Sequence, residues 1–496
     1  MAPKIKLKQM IAAGLLAILG VSGQARFGMS QVGGPQAPGL GARQLPVSAS
    51  ETPVSSLAAQ NPFYGAVPSG TVTPEELPLS LTDAIERGLK NNLGKLLSAQ
   101  ANRTALGEEL QARSGLMPSI SAYVEEKEQQ INLAAFGFPG LPGIGEIIGP
   151  FGIFDSRVLL SQPVIDLQAL GIARAGSETR KAANYSYENA RDIVVMVVAD
   201  FYLEAIAGAS RIEAAQAQLH TAQALYDQAV NFKQAGVIPA IEVLRAQVEL
   251  QARKQQVIFF QNEFEKEKLS LARAIGVPVR QTLRLTDHVP YAPLAAITMD
   301  EALARAYRAR SDYQGALASL RASEYAKKAA EGERLPTLSV DGDYGILGRR
   351  PNESHGTFSA AASLRIPIFE GGRIQGKILE ADAALQRQKA QLEDLRSRIE
   401  YEVQLAFLDL KASGDRVEVA RSALQLAQQQ MEQAQDRFAA GVTGNIEVVQ
   451  AQEALATANE NFIAGSHDYN LAKTMLARAL GGAEKSFREF LLGETQ

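Results

Sequence analysis

Cysteine is absent from this chain of 496 residues. Its absence excludes disulfide bonds, thiolate metal sites, cysteine nucleophiles and a lipid attached to an N-terminal cysteine. The chain also lacks a basic block, because 50 Lys and Arg are set against 54 Asp and Glu for a net charge of -4. Nucleic-acid binding therefore loses its main electrostatic support. Beyond the N-terminus, no run approaches the ~20 consecutive apolar residues of a spanning helix, which argues against a helical inner-membrane protein.

The N-terminus has the order of a secretory signal peptide. Three lysines within the first eight residues precede an apolar run over 10–21 and then small residues. A run of that length is too short to cross a bilayer as a helix. We expect residues 1–25 to be a cleaved signal peptide, the alternative being a retained anchor. Residues 26–76, rich in Pro, Gly and Ser, are expected to be a flexible lead-in or a tether that orders on a partner.

The remainder of the chain is an internal duplication. The segment LSLTDAI over 79–85 recurs as ITMDEAL over 297–303. In the first copy, Ser80 or Thr82 can cap a helix that runs towards Gly115. We divide the chain into a first repeat over 77–290, a second repeat over 291–490 and a tail over 491–496.

The period of the apolar residues changes after Pro118 and Pro336, where the helical patterns stop. In the second repeat, apolar and polar residues alternate over 338–346 and again over 358–368. An alternation of period two predicts two strands, each with one apolar and one polar face.

The equivalent strands of the first repeat are weaker. They are expected around 120–125 and 154–165, joined by a longer Gly- and Pro-rich loop over 136–145. The chain is thus predicted to form two β-hairpins, or four strands. In the second repeat, Asp341 and Asp343 fall on the polar face of the strand over 338–346. They are interpreted as polar residues that face a lumen, rather than as a catalytic carboxylate pair.

A long helical pattern follows each hairpin. From about residues 168 and 372 onward it continues for roughly 65 residues, or on the order of 100 Å, interrupted only by small residues near Gly208 and Gly414. A seven-residue period with many alanines predicts coiled-coil packing at close approach. The heptad positions are Ile212, Ala215, Leu219, Ala222, Tyr226 and Ala229 in the first repeat, and Val417, Ala420, Leu424, Ala427, Met431 and Ala434 in the second.

Two glycine segments interrupt these helices at equivalent places. They read QAGVIPAIEV over 234–243 and AAGVTGNIEV over 439–448. Glycine adopts backbone angles that other residues resist, and proline cannot continue a helix. Both segments are therefore predicted to be the tips of helical hairpins, with a return helix after each that ends at Gly276 and Gly481.

Four strands with an apolar face cannot stand alone in a membrane, because the open edges would leave backbone groups unsatisfied in lipid. Several chains must pool their strands, and three chains of four would close a barrel of twelve. The same symmetry would wrap the long helices into a tube, so we infer a conduit. The alternative is a periplasmic coiled-coil scaffold or adaptor without a pore, which has no reason to repeat amphipathic strands in both halves.

The chain resembles the outer membrane efflux protein family, the TolC-like exit ducts of tripartite pumps and type I secretion systems. The resemblance covers about 77–490 and rests on the opening helices at 79 and 297, on IPIFEGG over 366–372 and on the two Gly-Val tips. It implies a homotrimer with a twelve-stranded β-barrel in the outer membrane and an α-helical barrel crossing the periplasm. It further implies tips that meet a periplasmic adaptor, or membrane fusion, protein of an inner-membrane pump and open like an iris.

The resemblance assigns adaptor contact to Gly236, Val237, Gly441 and Val442. Glu242 falls where the family often has an acidic residue at the aperture, and with Glu447 it would ring an entrance that favours cations. The alternative is that both are solvated residues at helix starts, placed favourably in the helix dipole.

No other constellation indicates chemistry. The histidines His220, His288, His355 and His467 are scattered, without the spacing of a metal site. We expect no enzyme activity, no catalytic residue, no metal and no cofactor. The expected partners are two further copies of the chain, the adaptor and pump, and outer membrane lipid, with no nucleic acid. Drugs, other small molecules, metal ions and proteins are all possible cargo for such a duct.

Overall fold

The duplication of the sequence is a duplication of structure. A computed structural model describes residues 61–137, 145–287 and 297–484, so the predicted signal peptide, the tail, most of the 136–145 loop and His288 lie outside the described residues. The first repeat contains β1 (Leu77–Leu79), α1 (Leu81–Asn91), α2 (Leu93–Ser114), β2 (Ser119–Asn132), β3 (Ile147–Ile165), α3 (Leu167–Gln234), α4 (Ala240–Ile275) and β4 (Leu283–Leu285). The second contains α5 (Met299–Ala309), α6 (Ser311–Gly332), β5 (Thr337–Gly348), β6 (His355–Arg365), α7 (Arg373–Ala439) and α8 (Asn445–Leu480).

The first helix of each repeat begins with the same capping box. The Asp83 amide donates to Ser80 Oγ at 3.1 Å, and the Ser80 amide donates back to the Asp83 carboxylate at 3.3 Å. In the second repeat, Thr298 and Glu301 exchange the same two hydrogen bonds. Each box satisfies amides that the first helical turn leaves unpaired, and Ser80 rather than Thr82 is the cap.

The prediction of one continuous helix from this cap to Gly115 is wrong. The helix is broken at Asn92, whose ψ of 132° is extended. The fully buried Asn92 side chain caps α2 by accepting a hydrogen bond from the Gly94 amide at 2.9 Å. Arg310 makes the equivalent break between α5 and α6, with a ψ of 118°.

The return helices α4 and α8 dock against these breaks. Gly276 ends α4 with a φ of 74°, and a Cβ atom there would lie 2.6 Å from Asn91 Cβ. Gly481 ends α8 with a φ of 85°, and its Cβ would lie 2.6 Å from the Arg310 amide nitrogen. Only glycine permits this combination of a left-handed backbone and close approach, so the upper end of each hairpin is fixed to the short helices of its own repeat.

Each repeat has its own apolar core at this level. In the first, Ile85 of α1, Val194 and Tyr202 of α3 and Leu271 of α4 are fully buried in one cluster. A matching cluster joins α5, α7 and α8. The sequence analysis did not single out one apolar segment of α3. This segment is an 18-residue window with a mean hydropathy of 1.8, and 61% of it is buried. That burial assigns the window to the protein core.

Two contacts at the first core have no counterpart in the sequence analysis. Strands β1 and β4 form a short parallel pair, with Leu77 opposite Leu283. Residues 61–76, which belong to the predicted lead-in, lie against the break at Asn92 and the end of α4. Among their contacts, the Val67 amide donates to Asn91 O at 2.9 Å and the Ser69 amide donates to Gly276 O at 2.8 Å.

The four long strands form one antiparallel sheet in the order β2, β3, β5, β6. Both predicted hairpins are confirmed, and β3 pairs with β5 to join the two repeats. The bounds predicted for the first repeat are wrong, because β2 and β3 extend well beyond 120–125 and 154–165. In the second repeat β6 ends at Arg365, so the last residues of the predicted strand lie outside the sheet.

The long helices are confirmed. α3 has 68 residues and α7 has 67, which corresponds to about 100 Å each, and both continue through Gly208 and Gly414 without a break. The alanines of the predicted heptads form the contact, since Ala215, Ala222 and Ala229 are all within 2% of complete burial. Small side chains at this seam let α3 pack closely against α4 and α8.

Candidate functional site

The four-stranded sheet exposes one continuous apolar face. The strand register places Val158, Tyr344 and Phe358 side by side across three strands, and Ile120 is opposite Leu160. These side chains are unusually open to solvent for apolar residues, with Ile120 71%, Tyr344 70% and Phe358 79% exposed. A contiguous patch of this kind marks a surface that is covered by a partner or by lipid.

The opposite face of the sheet is polar and internally paired. Arg157 donates to Asp155 Oδ1 at 2.7 Å and to Asp343 Oδ1 at 2.9 Å, so it bridges two neighbouring strands. Tyr123 donates to Asp155 at 2.8 Å, and Ser161 donates to Asp341 at 2.6 Å. The two aspartates predicted to share this face do so, and each is held by a neighbouring side chain of β3.

The sheet also has two open edges. Within the described ranges, β2 pairs only with β3 and β6 pairs only with β5. Each outer strand is more than ten residues long, and its outward N–H and C=O groups are a template for pairing with another chain. A sheet with an apolar face and two open edges can enter lipid only after those edges are closed.

Both predicted hairpin tips have the same backbone hydrogen bonding. At the first, Gly236 has a φ of 74°, its amide donates to Lys233 O, and the Val237 amide donates to Phe232 O at 2.9 Å. At the second, Gly441 has a φ of 71°, and Val442 donates to Arg437 O at 3.0 Å. This is a Schellman motif, which satisfies the last carbonyls of α3 and α7 and reverses the chain.

The tips present open surface. No heavy atom lies within 4 Å of a Cβ built on Gly236 or Gly441, so the fold requires glycine there for its backbone angle and not for packing. The two following valines point into solvent, with Val237 61% and Val442 70% exposed. All four predicted contact residues are therefore accessible to a partner protein.

The two hairpins touch each other just above their tips. Phe232 of α3 and Phe438 of α7 have ring centroids 5.8 Å apart, within the range of favourable aromatic pairs. Phe438 is buried together with Met431 and Val448 in a small apolar cluster. The structure thus brings the two tips of one chain together at the same end of the molecule.

An apolar cleft lies beside the tips, and the sequence analysis missed it. The N-terminal parts of α4 and α8 border an open cleft of about 330 Å³, lined by Ile241, Leu244, Val248 and Ile446 among others. The three side chains of α4 are at least half exposed. Their spacing of three and four residues puts them on one face of α4, and that spacing was the available signal.

The two acidic residues proposed for the aperture are ion-paired within the chain. Arg245 Nη1 lies 2.6 Å from Glu242 Oε1, one turn along the same helix. Glu447 accepts a hydrogen bond from Thr443 and has Arg437 Nε at 3.6 Å. Both glutamates are in the first turn of their helices, where a negative charge is favourable. The structure thus places both glutamates at helix starts, and their role at the aperture stays a prediction.

A cluster of charged side chains higher on the long helices was also missed. Glu204 of α3 lies 3.0 Å from Arg211 Nη1 and 3.1 Å from His467 Nε2 of α8. On α4, burial raises the pKa of Glu267 to about 7, and the nearby Glu204 carboxylate adds to the rise. Glu204 and His467 belong to different repeats, so only the fold brings them together. Across the three described ranges, no group of His, Asp or Glu has the arrangement of a metal site.

Comparisons with known proteins agree with this geometry. A family model described as outer membrane efflux protein matches residues 85–277 and 302–482, one match for each repeat. The pyoverdine export outer membrane protein OpmQ of Pseudomonas aeruginosa is 26% identical over 64% of this chain and 67% of its own length. The outer membrane protein TolC of Vibrio cholerae is 21% identical over 85% of this chain and 94% of its own.

Solved structures show the same fold at low sequence identity. The outer membrane protein VceC of Vibrio cholerae superposes with a TM-score of 0.70 at 18% identity, over 81% of this chain and 96% of that one. A membrane protein from Pseudomonas aeruginosa gives a TM-score of 0.72 at 18% identity, over 90% and 97% of the two chains. The arrangement of one sheet and two long hairpins is therefore shared over nearly the whole of both neighbours.

Proposed function

Because the chain belongs to the outer membrane efflux protein family, we propose that it is the outer membrane channel of a tripartite efflux or type I secretion system. In this role it is a passive exit duct, located in the outer membrane with a helical extension into the periplasm. The observation that carries the proposal is the sheet with one exposed apolar face and two open edges, joined directly to two helical hairpins. A periplasmic scaffold without a pore has no use for that face.

The channel is proposed to be a homotrimer. Pairing β6 of one chain with β2 of the next would close both open edges, and three chains of four strands would make twelve. Closure would put the apolar face towards lipid and the Arg157–Asp343 face towards the lumen, which is the alternation of outer membrane barrels.

The partners are proposed to be a periplasmic adaptor protein and an inner-membrane pump, met at the tips. The exposed Val237 and Val442 and the neighbouring apolar cleft on α4 support this assignment. The relatives export different cargo by name, including pyoverdine for OpmQ and alkaline protease for AprF of Pseudomonas aeruginosa. We accordingly propose export of small molecules, metal ions or proteins as a class, and no catalytic role.

The channel proposal is tested on the full chain extracted from outer membranes in detergent. We expect heat-modifiable trimers that conduct ions in planar bilayers. A soluble monomer without conductance would support the scaffold instead and overturn the proposal.

The tip proposal needs a separate test with a matched control. Replacing Gly236 and Gly441 by leucine should abolish export while trimers persist, because the new side chains would stand on the contact surface. Asparagine at the same positions is the control, since it tolerates the left-handed backbone better than other residues and keeps the turn. Drug susceptibility of the leucine variant equal to that of the unmodified protein would sink the tip assignment.

A further inference from the structure

Two apolar side chains stand out at the junction between the sheet and the long helix α7. Ile368 is 94% exposed and Phe369 is 87% exposed, more than any other large hydrophobic side chain of the described residues. They lie in the irregular segment between the end of β6 at Arg365 and the start of α7 at Arg373. We refer to Ile368 and Phe369 as the junction pair.

Such exposure is costly unless something covers the pair. Burying a side chain of this size is worth about 1.5–3 kcal/mol, so the two together represent a substantial driving force for contact. The described residues cover only a small part of either side chain. The covering surface therefore does not come from the described residues of the chain.

The position of the junction pair along the sheet indicates which surface that is. Leu364 lies on the apolar sheet face that begins at its aromatic end with Phe358 and Tyr344. Ile366 and Ile368 continue the same alternation in sequence beyond the end of the strand. From Phe358 to the end of β6 at Arg365, seven steps of ~3.3 Å at a tilt of about 40° correspond to roughly 18 Å of membrane thickness, and the junction pair lies three to four residues beyond that end. The junction pair therefore lies near the end of the ~25 Å apolar band of an outer membrane barrel.

A charged collar begins immediately below the pair. Arg373 is ion-paired with Glu333 and Glu370, and Lys377 Nζ lies 2.9 Å from Glu333. Irregular backbone is not tolerated against hydrocarbon, where its polar groups would be unsatisfied. An irregular segment with apolar side chains above and ion pairs below fits the level of the lipid headgroups, where both are stable.

We propose that the junction pair inserts into the periplasmic leaflet of the outer membrane, at the boundary between headgroups and acyl chains, and fixes the depth of the barrel. The partner is a glycerophospholipid, because the pair directly follows the exposed apolar residues Leu364 and Ile366 at the end of the sheet. This inference rests on the proposed channel function. The competing occupant is a neighbouring subunit, which would cover the pair with protein.

The chain contains no tryptophan, so a single introduced tryptophan reports on its own surroundings without background. Phe369→Trp and Ile368→Trp keep a large apolar side chain and are made in the otherwise unmodified full chain. Trimers are reconstituted into phosphatidylethanolamine and phosphatidylglycerol vesicles that carry bromine at defined acyl positions. Phe358→Trp on the sheet face is the control for barrel insertion, and Val442→Trp at the second tip is the control for a site in water.

We expect both junction variants to lose emission to bromine near the headgroup end of the acyl chains. Phe358→Trp should also be quenched, and Val442→Trp should not. Quenching of Phe358→Trp with unquenched junction variants would overturn the lipid contact and leave the channel proposal standing. Absence of quenching at Phe358→Trp as well would overturn both, because the sheet face itself would then lie outside the bilayer.

Discussion

Replacing Gly276 by alanine is expected to loosen the attachment of the first hairpin to its own repeat. The residue has a φ of 74°, and the added Cβ would lie 2.6 Å from Asn91 Cβ and 2.7 Å from Val67 O. Asn91 cannot move aside freely, because its side chain donates to Ile275 O at 3.2 Å. The Val67 carbonyl is backbone and yields even less.

The size of the effect follows from two separate costs. A left-handed backbone angle costs a residue with a Cβ atom about 1–2 kcal/mol, and forcing an extra carbon into a packed site costs about 1–3 kcal/mol. The sum predicts a loss of roughly 2–5 kcal/mol for Gly276→Ala. Gly236→Ala is a matched control, because Gly236 has the same φ of 74° but no heavy atom within 4 Å of its Cβ. Gly236→Ala should therefore lose only the ~1–2 kcal/mol that the left-handed backbone angle costs.

The assay is thermal unfolding of both variants in detergent, followed by far-ultraviolet circular dichroism at one scan rate. Gly276→Ala should unfold at a clearly lower temperature than Gly236→Ala, and both below the unmodified protein. Limited proteolysis adds a local readout, since only Gly276→Ala should release residues 61–76 for cleavage. Equal midpoints for the two variants would refute the reasoning, because they would mean that the contact with Asn91 and Val67 yields without cost.

Three further changes test other parts of the molecule. Arg310→Met removes a buried guanidinium that lies 2.7 Å from Asp312, and breaking such a pair should lower the free energy of unfolding by about 3–5 kcal/mol, as measured by urea unfolding. Burial raises the pKa of Glu267 to about 7 from 4.5, so the unmodified protein should lose stability as pH rises through that interval. Above pH ~7, Glu267→Gln should therefore be more stable than the unmodified protein by about 1–2 kcal/mol, after allowance for partial exposure of the side chain. Below pH ~4.5 the two proteins should be equally stable, and unfolding at both pH values measures the difference. Arg157→Gln removes the cation that neutralises Asp343 on the polar sheet face, and the reversal potential in planar bilayers should shift towards higher cation selectivity.

Local patterns predicted the elements whose packing is repetitive. The heptad alanines Ala215 and Ala222 identified the packing seam of α3, because a seven-residue period sustained over such a length is typical of coiled-coil packing. The second hairpin was equally clear, because Tyr344 and Phe358 belong to unbroken alternations. The tip glycines were also found, because Gly236 and Gly441 adopt a positive φ that few other residues can adopt.

The missed features depend on contacts between distant parts of the chain or on breaks in a pattern. β2 was predicted too short because Glu126 and Glu128 end its alternation, although backbone pairing with β3 continues to Asn132. At the break, the Asn92 side chain also donates a hydrogen bond to Phe63 O at 2.6 Å, which lies 29 positions earlier in the chain. The approach of His467 to Glu204 joins two helices from different repeats. No periodicity within one segment encodes such contacts.

The docked ends of the return helices have a mechanical consequence. α4 runs for 36 residues from its tip to Gly276, which makes it a rod of about 54 Å whose end is docked beside Asn91. A rotation of about 5° at the held end would carry the free end sideways by about 5 Å, because interfaces of packed helices convert small angular changes into large displacements. α8 has the same length, and its end is docked beside Arg310. In the proposed channel, a slight change of angle beside Asn91 would therefore be enough to move the tips across the entrance of the tube.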